Sequence, residues 1–152
     1  MAIILIMVSM VLVATQVSWV DTNKKLTEST IALLDSALED YREYNPYTGS
    51  ANPLLFPDPN ALAVDFSDPN THHSASLYQQ LNLVPDAKKI LERIADSQIT
   101  LIEAGGGKYP VFIDAWKTVL DYRYDSNMTF PLIISAGPDK KFDTTDDITN
   151  RR

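Results

Sequence analysis

With 152 residues the chain is long enough for one domain and short for two. A formal net charge of −7 argues against a nucleic-acid partner, because phosphate binding needs a basic face. The absence of cysteine excludes disulfides, thiolate metal sites and cysteine nucleophiles.

Met1 to Val13 (MAIILIMVSMVLV) is nearly all apolar, and Trp19 and Val20 close the run before the first charge at Asp21. A spanning helix needs about twenty apolar residues, so this segment is at the lower limit. A cleaved secretory signal, cut after Ala14, competes with that reading, but no Lys or Arg precedes Lys24 to form a basic n-region. From Asp21 to about Tyr44, Ile31, Leu34, Leu38 and Tyr41 recur at helical spacing among charged residues. No Gly or Pro occurs between Met1 and Asn45, so the simplest geometry is one helix of about 44 residues, roughly 65 Å long. Its first half is apolar all round, and its second half has one stripe to set against a head. Asn45-Pro46 ends it, since the residue before Pro avoids helical geometry. The chain thus divides into a hydrophobic membrane or filament-core segment, 1–20, and a head, 21–152, that includes the second half of the helix.

Residues 46–75 read as a Pro-rich loop in which Leu54, Leu55, Phe56, Leu62, Val64 and Phe66 pack back onto the head. Ser76–Leu83 and Asp86–Ser97 read as two short helices, the second with Ala87, Ile90, Leu91 and Ile94 inward and Pro85 near its first turn. Gly105-Gly106-Gly107 predicts a turn. Val119–Asp125 alternates as a strand, with Leu120, Tyr122 and Tyr124 on one face. Phe130–Ser135 is a second strand joined to it through residues 126–129, and Pro131 marks a late start to its pairing. Ile99–Glu103 or Tyr109–Ile113 adds a third. The expected fold is α+β, a long N-terminal helix packed on a small antiparallel sheet.

The C-terminal segment carries the most chemistry. Asp139, Asp143, Asp146 and Asp147 fall within nine residues, after a Gly137-Pro138 turn. Carboxylates so close repel unless a positive charge stands between them, and hard cations such as calcium prefer carboxylate and carbonyl oxygens. With Asp139 as position 1, Lys141, Thr144 and Asn150 fail positions 3, 6 and 12 of an EF-hand, so any calcium site is of another kind. A solvated acidic loop is the alternative.

Asp114-Ala115-Trp116, then a strand, then Ser135-Ala136-Gly137-Pro138-Asp139 and Asp146-Asp147-Ile148-Thr149-Asn150, resemble the C-terminal region of the major pseudopilins of type II secretion. The pattern there is D-P-W-G-x-P, a strand, S-x-G-P-D-G and D-D-I-x-N. The apolar N-terminus is similar to the later part of a type IV pilin-like helix, and residues 46–107 match only as a variable insert. The resemblance implies a pilin-like fold with a C-terminal calcium loop, in which the side chains of Asp139, Asp146 and Asp147 and the carbonyls of Ala136 and Thr144 hold the ion. It also implies a non-enzymatic subunit of a helical homo-oligomeric filament. Its partners would be other pseudopilins and inner-membrane assembly components, with one helix in the inner membrane and the head in the periplasm.

Three departures bear on the match. Lys140 stands where the pattern has Gly, tolerable unless the turn needs positive φ. Lys117 and Val119 replace the Gly and Pro after Trp116. The pilin leader and its Phe-Thr-Leu-x-Glu start are missing, as if the chain began nine or ten residues into the mature helix. Restoring a basic leader would place the N-terminus inside and the head outside.

Other chemistries are weaker. His72-His73 lie near Asp65 and Asp68, but lack the i, i+4 spacing of a helical zinc pair. Gly105-Gly106-Gly107-Lys108 is followed by Tyr109 where a phosphate loop needs Ser or Thr. Trp19 reads as an interfacial anchor or a packing aromatic, and Trp116 as core. The alternative function is a secreted binding module without metal, its N-terminus an export signal.

Overall fold

The computed structural model describes the backbone of residues 2–44 and 55–151, with side chains from Trp19 onward. The expected burial pattern of the apolar N-terminal segment, the helix stop at Asn45-Pro46 and the packing of Leu54 lie outside the described residues.

The uninterrupted N-terminal sequence forms one helix, α1 (Ala2–Tyr44), of 43 residues. At 1.5 Å per residue it is about 64 Å long. Ile31, Leu34, Leu38 and Tyr41 are all buried, together with Ala37, so the expected stripe is the face that meets the head. Polar residues on the helix are satisfied locally: the Thr30 hydroxyl donates to the Leu26 carbonyl at 3.0 Å. Among the described residues no helix is long and apolar enough to cross a membrane.

α2 (Pro69–Leu83) begins seven residues earlier than the sequence reading has it. Asp68 accepts from the Thr71 amide at 3.0 Å and its hydroxyl at 2.8 Å, and Pro69 occupies the first turn, where its missing N–H costs nothing. The expected loop therefore ends at Asp68. Conversely, α3 (Pro85–Leu91) is shorter than the expected 86–97. After it, the amides of Arg93 and Ile94 bond three residues back, to Ile90 and Leu91, and the chain turns. A single 3-10 turn, Asp96–Gln98, follows. The inward stripe survives the shortening: Ala87, Leu91 and Ile94 are buried and Ile90 packs against the core.

The strands form two sheets rather than one. β1 (Ile99–Ala104) and β2 (Gly107–Phe112), the two candidates for a third strand, both form and pair with each other as an antiparallel hairpin. Gly105 and Gly106 take φ of 54° and 80° at its tip, which explains glycine at both turn positions. β3 (Asp121–Arg123), β4 (Leu132–Ser135) and β5 (Ile148–Thr149) make the second antiparallel sheet, in that order. β4 starts after Pro131, as expected. Leu120, Tyr122 and Tyr124 point inward from the β3 segment into the main core, which joins α1, α2 and α3 to this sheet. Burying a leucine such as Leu34, Leu38 or Leu81 contributes about 1.5–3 kcal/mol, so the α1 stripe is a substantial part of the fold's stability.

The connection before α2 is held to the head by polar groups as well as apolar ones. Phe56 is buried, Leu62 and Phe66 pack on a smaller cluster around Val111, and Leu55 is 53% exposed, against expectation. The buried Tyr122 hydroxyl donates to the Pro57 carbonyl at 2.8 Å, and Gln80 exchanges two hydrogen bonds with the Asp58 backbone.

Candidate metal centre

The C-terminal acidic loop rests on a buried carboxylate. Asp114 is fully buried, and its Oδ1 accepts from the amides of Trp116 and Thr118 at 2.9 and 2.8 Å. Its Oδ2 accepts from the Ser135 hydroxyl at 2.8 Å, and that hydroxyl oxygen accepts from the Gly137 amide at 3.2 Å. Asp114 thus joins the turn after β2 to the start of the acidic loop, across 21 residues of sequence. Burial pushes its carboxyl up from 3.8, against the opposing pull of the Thr118, Ser135 and Trp116 bonds. The same turn is tied to α1, where buried Thr27 accepts from the Ala115 amide at 3.1 Å.

Both turns require left-handed backbone. Lys117 has φ 69° and Lys140 φ 59°, and each stands where the resembled pattern has Gly. The condition set on Lys140 is therefore met in the unfavourable sense: the turn needs positive φ, and a lysine takes it. Gly137 has φ 64°, and a Cβ there would sit 2.4 Å from the Asp146 carbonyl oxygen. Only glycine lets the two ends of the loop approach so closely.

That approach brings the expected side chains together. The Asp139 amide donates to Asp146 Oδ2 at 3.2 Å. The Thr144 hydroxyl lies 2.7 Å from Asp146 Oδ1, 3.4 Å from Asp147 Oδ1 and 3.1 Å from the Lys141 carbonyl. One hydroxyl proton can serve only one of these three acceptors. The Thr144 hydroxyl holds the Asp146 carboxyl below its ordinary 3.8, ahead of the lesser bonds from Asp139. Ala136 is buried beside Gly137. Asp139, Thr144, Asp146 and Asp147 are therefore one cluster, all of oxygen donors, which is the donor chemistry calcium takes.

The arrangement differs from the expected shell in detail. Asp139 Oδ1 accepts from the Lys141 amide at 2.8 Å and Asp147 Oδ2 from the Asp143 amide at 2.8 Å, so part of each carboxylate serves the loop's own turns. At Thr144 the hydroxyl, which the sequence reading did not invoke, meets the acids. No three His, Asp or Glu among the described residues are arranged to hold an ion as they stand. Asp143, read only as part of the acid run, has φ 64° and lies 3.8 Å from Arg123 Nη1.

Asn150 closes the loop from the far side. Its Oδ1 accepts from the Ile133 amide at 3.0 Å, while its Nδ2 donates to the Pro131 carbonyl at 3.0 Å and to Asp35 Oδ1 on α1 at 2.8 Å. Burial raises the Asp35 carboxyl, partly offset by the Asn150 bond. Sequence reasoning placed Asp114 and Asn150 in the motifs but assigned them no role; long-range bonds of this kind leave no local signal. Between the acidic loop and α1 runs an open groove of about 570 Å³, walled by Lys24, Glu28, Trp116, Pro138, Asp147 and Arg151.

The remaining candidates disperse. His72 bonds the Leu62 carbonyl at 2.9 Å and stacks on Phe66, whereas His73 approaches Asp121 Oδ1 at 3.5 Å. The adjacent histidines therefore face different partners. Buried Asp121 also pairs with Arg123 Nε, a network the sequence reading missed. The Gly105–Lys108 run is the hairpin tip. Trp116 is half-buried against the core, as expected, and Trp19 is 69% exposed. Compared with known proteins, the chain matches no family model, no curated protein and no solved structure.

Proposed function

We propose that this chain is a pseudopilin-like structural subunit whose head is stabilised by calcium at Asp139, Asp146 and Asp147, with the Ala136 and Thr144 carbonyls as further ligands. The observation that carries this is the joining of the two short motifs of the resemblance into one unit. Asp114 and Ser135 connect them, and both lysines at pattern-glycine positions keep left-handed backbone. The oxygen cluster around Thr144, and the Asp139 amide that ties its residue to the Asp146 carboxylate, support the chemistry a hard cation needs.

The role is mechanical. The apolar half of α1 is lipid-soluble before assembly and packs against like helices after it. Exchanging lipid for helix contacts gives little net drive, so assembly needs an external motor, which the resembled family has as an inner-membrane ATPase. Bound calcium would relieve repulsion in the loop and fasten it to the sheet. A ligand that binds only the folded state raises the melting temperature. Adding millimolar calcium to the full chain in detergent should therefore raise Tm by several degrees, and D139A/D146A should remove that rise. An equal rise in the double variant, or no calcium uptake by the parent chain, would refute the site.

A further inference from the structure

Of the eight asparagines in the chain, one stands in an Asn-x-Ser/Thr triplet without proline in the middle: Asn127-Met128-Thr129. The triplet lies in the connection between β3 and β4. Asp125 sets its backbone: the Asp125 carboxylate accepts from the Asn127 amide at 2.7 Å, and the Asp125 carbonyl from the Met128 amide at 3.0 Å. Such a turn satisfies the main chain and leaves the Asn127 side chain out of the bonding. Beyond it, burial alternates. Asn127 and Thr129 are exposed, whereas Met128 and Phe130 pack against the main core. The carboxamide and the hydroxyl thus stand outward on either side of an inward anchor. Among the described residues neither of the two has a hydrogen-bond partner. Asn150 is the contrast, its carboxamide engaged in three bonds within the head.

We propose that Asn127 is a site of N-glycosylation, its Nδ2 taking an oligosaccharide from a lipid diphosphate-linked donor on a membrane-bound transferase. In that step the bond from Nδ2 to the anomeric carbon forms as the bond from that carbon to the diphosphate oxygen breaks. Lipid diphosphate leaves, and one Nδ2 proton passes to a base of the transferase. A carboxamide nitrogen is a poor nucleophile, because its lone pair is delocalised into the carbonyl as in a peptide bond. A transferase must grip and twist it, which a carboxamide free of internal bonds on an exposed turn allows. The Thr129 hydroxyl is the handle that marks this asparagine out from the other seven. The proposal rests on the outward placement of the head that the pseudopilin-like reading carries, and on neither calcium nor a filament.

The full chain, expressed in its native cells and purified in detergent, gives the test. Trypsin releases Asn127 on the peptide Tyr124–Lys140. Mass spectrometry should find most of that peptide carrying a sugar attached at Asn127. N127Q and T129V should reduce the modification to background, whereas T129S, which restores a hydroxyl, should keep it. Because both side chains are exposed and unbonded, these variants should melt as the parent does. S29C, an exposed position in a chain without other cysteines, reports the side of the membrane through labelling of intact cells with a small membrane-impermeant maleimide. A labelled head with an unmodified peptide would overturn the glycan site and leave the outward placement standing. An unlabelled head would overturn both. Modification that persists in N127Q, as a sugar on Ser126 or Thr129 would, also overturns the site.

Discussion

At the scale of the residue, backbone conformation separates what the loop needs from what it tolerates. Gly137 is needed: positive φ and the 2.4 Å approach of a Cβ to the Asp146 carbonyl act together. G137A should cost roughly 2–4 kcal/mol, read as a lower denaturant midpoint without loss of helical signal. Lys140 is tolerated: it takes φ 59° at a cost of about 1 kcal/mol for a left-handed non-glycine residue, so K140G should stabilise by up to that amount. A destabilised K140G would show that the lysine side chain earns its place by other means. The acids of the loop were legible because charge density is a property of sequence. The Thr144 hydroxyl beside them was not, since it reaches Asp146 only once the turn at Asp143 is formed.

At the scale of the element, periodicity read the long helix and the β3 face, where one stripe meets one core. It misread the start of α2, although Asp68-Pro69 is a helix-start pair, because the loop composition around it outweighed the cap. D68A should lower stability by about 1 kcal/mol and raise amide exchange in the first turn of α2. An unchanged exchange rate there would mean that Pro69 and the tertiary contacts set the start unaided. The hairpin was seen as two strand candidates, but its separation from the other sheet is set by Pro110 and Ser74 at the β2 edge, a tertiary fact with no local pattern.

At the scale of the whole molecule, one buried and one half-buried acid raise a pH response. Asp114 and Asp35 have carboxyls raised above 3.8, each chiefly by burial. Such groups add stability that is complete below 3.8 and is lost as pH rises through the folded value. Asp146, lowered by the Thr144 hydroxyl, acts oppositely: its contribution is present above 3.8 and goes as pH falls through the folded value. D114N keeps an acceptor for the Trp116 and Thr118 amides while removing the titration. The stability of the parent relative to D114N should therefore decline as pH rises from 3.8, and a difference independent of pH would refute the assignment. One tether described above also joins distant elements. Asn150 reaches Asp35 across 115 positions and the Ile133 amide across 17, so one side chain holds the tail to both α1 and β4. Ring closure rises by only about 0.6 kcal/mol per doubling of length, so the longer tether costs little more than the shorter. N150A should therefore loosen β5 from both elements at once, read as faster amide exchange at Ile148 and Thr149.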